Sequence, residues 1–397
     1  MEKVVDKKEY VNGTLLVLGN FVTRFGNIFL NYGLNLWIIN ISGNTKTLGV
    51  ISSIGLLPII LFTLFGGIVS DSYNKKNIVI ACDIIAGIVC AIMALVINVE
   101  RLDITSIVIF RIIMSVIQSL FKPSINALPA YSIKQEHRKQ FNSILNISSQ
   151  SIQVVGPLVS SFFIIALGLN IKGILLIDSI TFICSAISEF FIKLDNLDKK
   201  ISTQKKFIGN KLKEGFQYIS KKKYIENIII LASLSNIFIA GYNLYLPFYA
   251  NYIGDSKLYG IMLSVEAIGG ILGALTLAYK KDYLNENRIS INLFLSGLLF
   301  IPLVFTHNKY FTCVSIFAFG LFLTRFNVLL FTYLQNNVEK EFLGRVLSIV
   351  NVTAIILMPL GQLIFGFGID YFKTMTVPIL GFFICLLSLI SFIFEKK

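Results

Sequence analysis

The sequence predicts an all-α integral membrane protein: twelve transmembrane helices in two six-helix pseudo-repeat bundles. Three observations predict it. Of the 397 residues, 55% are hydrophobic and 14% charged, and the mean hydropathy is +0.75; a soluble domain carries roughly 25% charged residues. Apolar runs of roughly 20 residues, long enough to cross about 30 Å of hydrocarbon as helix, recur from end to end. One basic segment divides these runs six and six.

The spans fall at about 13–40, 46–70, 77–99, 103–127, 141–168, 171–193, 225–251, 258–280, 289–306, 310–333, 346–369 and 375–394. Open sheet is excluded there, because lipid offers backbone groups no partners. A barrel needs short alternating segments, and these runs are too long and too evenly apolar. Met1 to Asn12 is polar, and the run after it is too long for a signal peptide, so span one reads as a retained helix. Cys82, Cys90, Cys184, Cys313 and Cys385 all fall inside spans, form no CxxC pair and read as small buried hydrophobes.

Charge orients the spans. The net charge of +13 could suggest nucleic acid, but its distribution argues for a bilayer. One set of loops carries Lys75/Lys76, Lys134/Arg138/Lys139, a central cluster, Lys280/Lys281/Arg288, Lys340/Arg345 and Lys396/Lys397. The alternate loops carry little beyond Lys46, Arg101, Lys172, Lys257, Lys309 and Lys373. The positive-inside rule then places both termini in the cytoplasm of a multi-pass inner-membrane protein, with anionic lipid as the partner of the basic loops.

The expected domains are an N-terminal bundle over 1–193, a basic cytoplasmic linker over 194–224 and a C-terminal bundle over 225–397. Within the linker, 205–220 reads either as an amphipathic helix on the membrane surface, with Phe207, Ile208, Leu212, Phe216 and Ile219 on its apolar face, or as a plain solvated segment. The halves resemble each other: Ser143, Asn146 and Gly156 recur at the same spacing as Ser348, Asn351 and Gly361. That suggests a duplicated bundle.

Several chemistries lack their residues. There is no Gly-Lys dipeptide, hence no phosphate-binding G-x-x-x-x-G-K-[ST] loop. No H-E-x-x-H or G-x-S-x-G occurs, and the histidines are His137 and His307. The expectation is no enzyme, no metal and no cofactor.

The turn from Gly67 to Lys76 resembles signature A of the major facilitator superfamily, G-x-x-x-D-R-x-G-R-[KR]. The match places Gly67, Asp71, Lys75 and Lys76. Ser72 stands for the usual arginine and Asn74 for the usual glycine, as the next residue able to take a left-handed turn. Asp71 suits a helix amino terminus. In span four Arg111 and Ser115 are similar to the family's R-x-x-x-G. In span five Gly156-Pro157, with Ser160, is similar to the antiporter branch's G-P-x-x-G. Gly156 and Ser160 present a small face, expected to pack on the Gly269/Gly273 GxxxG of span eight. Phe342 to Ser348, Pro359 to Gln362, Leu128-Pro129 and Asp178 are similar to the branch of macrolide-efflux and enterobactin-exporter proteins.

Six ionisable side chains lie within spans: Arg24, Asp83, Arg111, Asp178, Glu266 and Arg325. Facing lipid, an Arg, Lys or Asp costs roughly 2.5–3.5 kcal/mol at a helix centre, so three acids and three bases suggest internal pairing. Glu266, Asp178 and Asp83 are the proton-coupling candidates, with Glu266 foremost. The resemblance implies a cavity lined by spans one, four, seven and ten. Its substrate candidates are Arg24, Asn27, Asn31, Arg111, Gln118, Tyr242, Asn243, Tyr245, Arg325 and Asn327. The reading is a monomeric secondary transporter, driven by the proton gradient, that exports an amphipathic drug-, macrolide- or siderophore-like compound by alternating access. Two rivals stand beside it: an uptake symporter of the same fold, and a non-transporting scaffold or receptor.

Overall fold

The computed structural model describes residues 7–134, 136–193, 208–278, 287–304 and 308–395. Fifteen α-helices follow in order: α1 (Lys7–Ser42), α2 (Thr45–Ser72), α3 (Lys75–Val96), α4 (Ile104–Ala127), α5 (Pro129–Ser132), α6 (Arg138–Ala166), α7 (Ile171–Phe190), α8 (Ile208–Ser220), α9 (Lys223–Ile253), α10 (Ser256–Ala278), α11 (Asn287–Leu298), α12 (Lys309–Asn337), α13 (Lys340–Ile356), α14 (Met358–Phe372) and α15 (Thr376–Glu395). Among the described residues, ten helical stretches are long and apolar enough to cross a membrane. One of them, Phe342–Phe392, has 51 residues; at about 1.5 Å per residue that is two crossings of a bilayer. The shorter apolar Ile289–Leu303 supplies the remaining passage. The all-helical architecture of twelve passages is thus present.

Local sequence explains the breaks. Asn170 caps α7 by accepting from Gly173 N, and Asn308 caps α12 by accepting from Tyr310 N. Gly254 ends α9 at φ +75°, a left-handed conformation that glycine adopts without strain. Span eleven, expected as one helix, is two, because Pro359, the second residue of α14, has no N–H to bond back and continue α13.

The chain divides into two units. The first comprises Met1–Ser42 and Ile54–Ser202, the second Gly43–Ser53 and Thr203–Lys397. The opening turns of α2 belong with the second because α14 holds them there. Asp370 accepts from Thr45 N at 2.6 Å and Lys46 N at 2.9 Å, and Ser53 Oγ donates to Pro359 O.

In the first unit, α7 packs on α1 and α3. Glycines seven residues apart on α1 make the approach possible. A Cβ at Gly26 would fall on Thr181 Oγ1 and Asp178 Oδ1, and one at Gly19 on Ser188 Oγ. In the second unit, α10 and α12 meet backbone to backbone. Gly269 and Gly273 face the carbonyls of Phe317 and Leu321, while Gly320 faces that of Glu266. That corrects the expected pairing of this GxxxG with span five, since α12 fills both small positions. Gly156 instead lies against Ile28 of α1, and Ser160 Oγ donates back to Gly156 O.

The linker helix packs one face on its neighbour and leaves Glu214, Phe216, Gln217 and Ser220 exposed. Within α8, Gly215 and Tyr218 dock on α13, with Tyr218 stacked on Phe342 at 4.6 Å and Glu214 paired with Arg345 at 2.9 Å. Phe207 and the side chains of Ile208 and Leu212 fall outside the described residues. Of the cysteines, Cys82, Cys90 and Cys385 are buried; contrary to expectation, Cys313 is half-buried and Cys184 is exposed.

Candidate functional site

The signature-A turn organises the first unit from one end. Gly67 and Asp71 lie in the last turns of α2, and their side chains fall outside the described residues. Asn74 does not take the left-handed turn expected of it. At φ −66° it is the N-cap of α3, and its side chain accepts from Lys76 N and Asn77 N. Lys75 Nζ sits 4.6 Å over the Tyr131 ring. Lys76 Nζ donates to Phe190 O and Ile192 O, each at 2.7 Å. A cation thus satisfies carbonyls left over at the end of α7, where the helix dipole favours it.

Two faces of α1 carry different chemistry. Asn20, Asn27, Asn31 and Asn35 form a polar stripe at helical spacing. Arg24 Nε donates to Asn20 Oδ1 at 2.6 Å. Arg111 of α4 donates from Nη1 to Asn31 Oδ1 at 2.6 Å and from Nη2 to Asn35 Oδ1 at 3.1 Å. Gln118 reaches Asn27 Oδ1 at 3.5 Å. The structure therefore brings together Arg24, Asn27, Asn31, Arg111 and Gln118. Asn20 and Asn35 complete the stripe and were not singled out from sequence, although the spacing was available.

The opposite face of α1 meets the acids. Thr23 Oγ1 donates to Asp83 Oδ2 at 3.4 Å. Asp178 receives Cys90 Sγ at 3.6 Å and Thr181 Oγ1 at 3.3 Å. Sequence reasoning missed the third acid here. Glu189, only 1% exposed, takes Ser185 Oγ at 3.4 Å.

In the second unit, Glu266 Oε2 accepts from Tyr242 Oη at 3.0 Å. The Tyr242 ring is buried against Phe319 at 4.4 Å and Phe300 at 5.6 Å, so the aromatic walls fix the hydroxyl. Arg325 donates from Nε to Asn292 Oδ1 and from Nη1 to Thr276 Oγ1. Tyr245 is buried and stacks on Tyr249 at 5.5 Å, while Asn243 and Asn327 are exposed. A cavity of 570 Å³ between α8, α9 and α13 is lined mainly by Phe216, Ile219, Ile229, Ile230, Ile349 and Ile356.

The expected acid–base pairing does not occur. Among the described residues, no ion pair involves Asp83, Asp178, Glu189 or Glu266; the acids sit among hydroxyl and thiol donors and the arginines among amides. Outside the spans, charge behaves ordinarily. The Tyr218 hydroxyl, with Glu339 beside it, holds the Lys222 ammonium above its usual range.

A family model described as the Major Facilitator Superfamily matches residues 16–361. The chain belongs to that superfamily. It is a membrane transporter by family and fold, not an enzyme. The staphyloferrin A transporter of Staphylococcus aureus is 25% identical over 402 residues, covering 96% of this chain and 94% of the relative. Macrolide efflux protein A of Streptococcus pyogenes is 21% identical over 358 residues, covering 87% and 86%. These relatives are the branch that the sequence motifs resemble. Among solved structures, the nucleoside transporter NupG superposes with a TM-score of 0.78 at 14% identity, covering 97% of this chain and 99% of that one; the likeness shows the fold.

Proposed function

We propose that this superfamily member exports an amphipathic compound, drug-, macrolide- or siderophore-like, in exchange for protons. It works in the cytoplasmic membrane as a monomer with both termini inside. The observation that carries the coupling is a set of acids inside membrane helices without ionic partners: Glu266 on the Tyr242 hydroxyl, and Asp83 and Asp178 on threonine and cysteine. Low dielectric favours the neutral acid, so each such carboxyl is suited to take and release a proton as its surroundings change. Glu266 is the foremost coupling group.

The exposed Arg24 and the Asn20–Asn35 stripe offer an acidic or hydrogen-bonding group on the substrate a place to bind. Asp71, with Asn74, Lys75 and Lys76, holds the cytoplasmic end during alternation, and Gly156-Pro157 supplies a fitted interface. An efflux protein among the relatives supports the outward direction.

The test is flux of a labelled macrolide in proteoliposomes, with and without an imposed pH gradient, for the wild type, Glu266→Gln and Asp71→Asn. Export should rise with the gradient and fall in both variants. Export indifferent to the gradient and to both substitutions removes the mechanism.

A further inference from the structure

Glu189 is the least explained group in the first unit. It lies in the last turn of α7, is 1% exposed, and its Oε2 is fully buried with no hydrogen-bond partner. Its other oxygen, Oε1, is 3.4 Å from Ser185 Oγ. The same hydroxyl also donates to Gly19 O at 3.2 Å, and Asp83, itself 1% exposed, comes up to it across the seam from α3. Two carboxyl groups from different helices thus meet at one hydroxyl, with one carboxyl oxygen left unsatisfied.

Among the described residues, the surroundings supply no counter-charge. On α3, the titratable neighbours are Cys82, buried beside both acids, and Cys90, bonded to Asp178. Lys76 spends its ammonium on Phe190 O and Ile192 O. On α1, the groups facing the seam are Gly19, Thr23 and Gly26; Arg24 turns to Asn20. Arg111 of α4 is bonded to Asn31 and Asn35, on the other face of α1. On α7, the flanking acid is Asp178, and Cys184 is exposed. An isolated buried carboxylate pair with no cation is far costlier than a pair holding a proton between them. One proton held between the two carboxyl groups removes their mutual repulsion and gives the unsatisfied oxygen a bond.

We propose that Asp83, Ser185 and Glu189 form a proton-binding site in the α1–α3–α7 seam, and that it loads the proton exchanged for substrate. This rests on the proton-antiport reading and adds, to Glu266 in the second unit, a loading site in the first. Transfer runs through the serine. The Glu189 O–H bond breaks as Ser185 Oγ takes that proton, and Ser185 gives its own to Asp83, so one proton moves and the serine is unchanged. Glu189 stands at the level of Gly19 on α1, Asp83 at Thr23 and Asp178 at Gly26. That is a rise of about 10 Å at 1.5 Å per residue, from the end that Lys76 caps into the membrane, so Asp178 is the next acceptor on the path.

The experiment has two arms on the full chain in lipid. Infrared spectroscopy follows the carboxylic C=O band through a pH titration of the wild type, Glu189→Gln, Asp83→Asn and Ser185→Ala. A proton shared by two acids titrates in coupled steps. Each acid variant should lose one step and leave a single-group titration, while Ser185→Ala, which keeps both acids, should alter both steps. A wild-type curve retained in Glu189→Gln overturns the site. Gradient-driven export of a labelled macrolide is measured in parallel, with roughly tenfold loss of coupling expected in both acid variants. If the wild type follows the gradient and the acid variants do too, the site is overturned and proton antiport stands. If the wild type ignores the gradient, antiport and the loading role fall together, and the infrared arm alone decides whether the seam binds a proton.

Discussion

Gly320→Ala places one methyl group at the tightest seam of the second unit. Its Cβ would lie 2.2 Å from the carbonyl oxygen of Glu266, where ordinary contact begins at 3.4 Å. The obstacle is backbone, so no side chain can swing aside. Helices α10 and α12 must part by about 1 Å, in an interior packed as densely as a crystal. Overpacking of this kind costs about 1–3 kcal/mol. The shift also carries Glu266 away from the Tyr242 hydroxyl now at 3.0 Å, a bond worth roughly 0.5–3 kcal/mol net, depending on charge. Alanine's better helix propensity returns at most about 1 kcal/mol. Destabilisation wins, by roughly 0.5–5 kcal/mol on these terms. Thermal melting of the purified chain in detergent reads it as a drop of several degrees. Gly344→Ala, where a Cβ meets nothing within 4 Å, is the control and should melt at or slightly above the wild type. If Gly320→Ala melts as high as Gly344→Ala, the close α10–α12 packing is wrong.

Tyr242→Phe leaves Glu266 Oε2 without its donor and should cost about 1–3 kcal/mol; in a double-mutant cycle with Gly320→Ala the two losses should overlap rather than add, as melting temperatures will show. Asp370→Asn removes the charge that accepts from Thr45 N and Lys46 N at the start of α2, for a loss of about 1 kcal/mol that shrinks in high salt. Asp103 is the exposed N-cap of α4, just outside the membrane-length stretch Ile104–Ala127, and its hydrogen bond from Ser106 holds its carboxyl below the usual range. Its stabilising contribution is therefore present above the unfolded value of about 4 and is lost as pH falls through the lower folded value. In Ser106→Ala, carboxyl NMR should find Asp103 titrating closer to the ordinary value.

Much of this was legible in the residues. Span lengths follow from hydropathy, and the Gly67–Lys76 turn was readable because charge between membrane-length runs has few places to go. Glu189 was not. Next to Phe190, Phe191 and Lys193 it reads as an interfacial residue at the end of span six, where charge is cheap, and only the meeting of α1, α3 and α7 buries it. A signal did exist: Asp178, Thr181, Ser185 and Glu189 recur at helical spacing on one face of an apolar helix, opposite Gly19, Gly26 and Gly33 on α1. Asn74 misled for a different reason. Asparagine serves both left-handed turns and helix caps, and the α3 amides beyond it settled the matter in favour of the cap. Acid–base pairing failed as an expectation because composition balances charges without saying which face of a helix each one takes.

The exchange itself is the most direct thing to measure. In proteoliposomes carrying a trapped pH-sensitive dye, a labelled macrolide crossing the bilayer should be matched by protons crossing the other way, and Glu266→Gln should reduce both movements together. Macrolide movement that leaves the internal pH untouched contradicts the account.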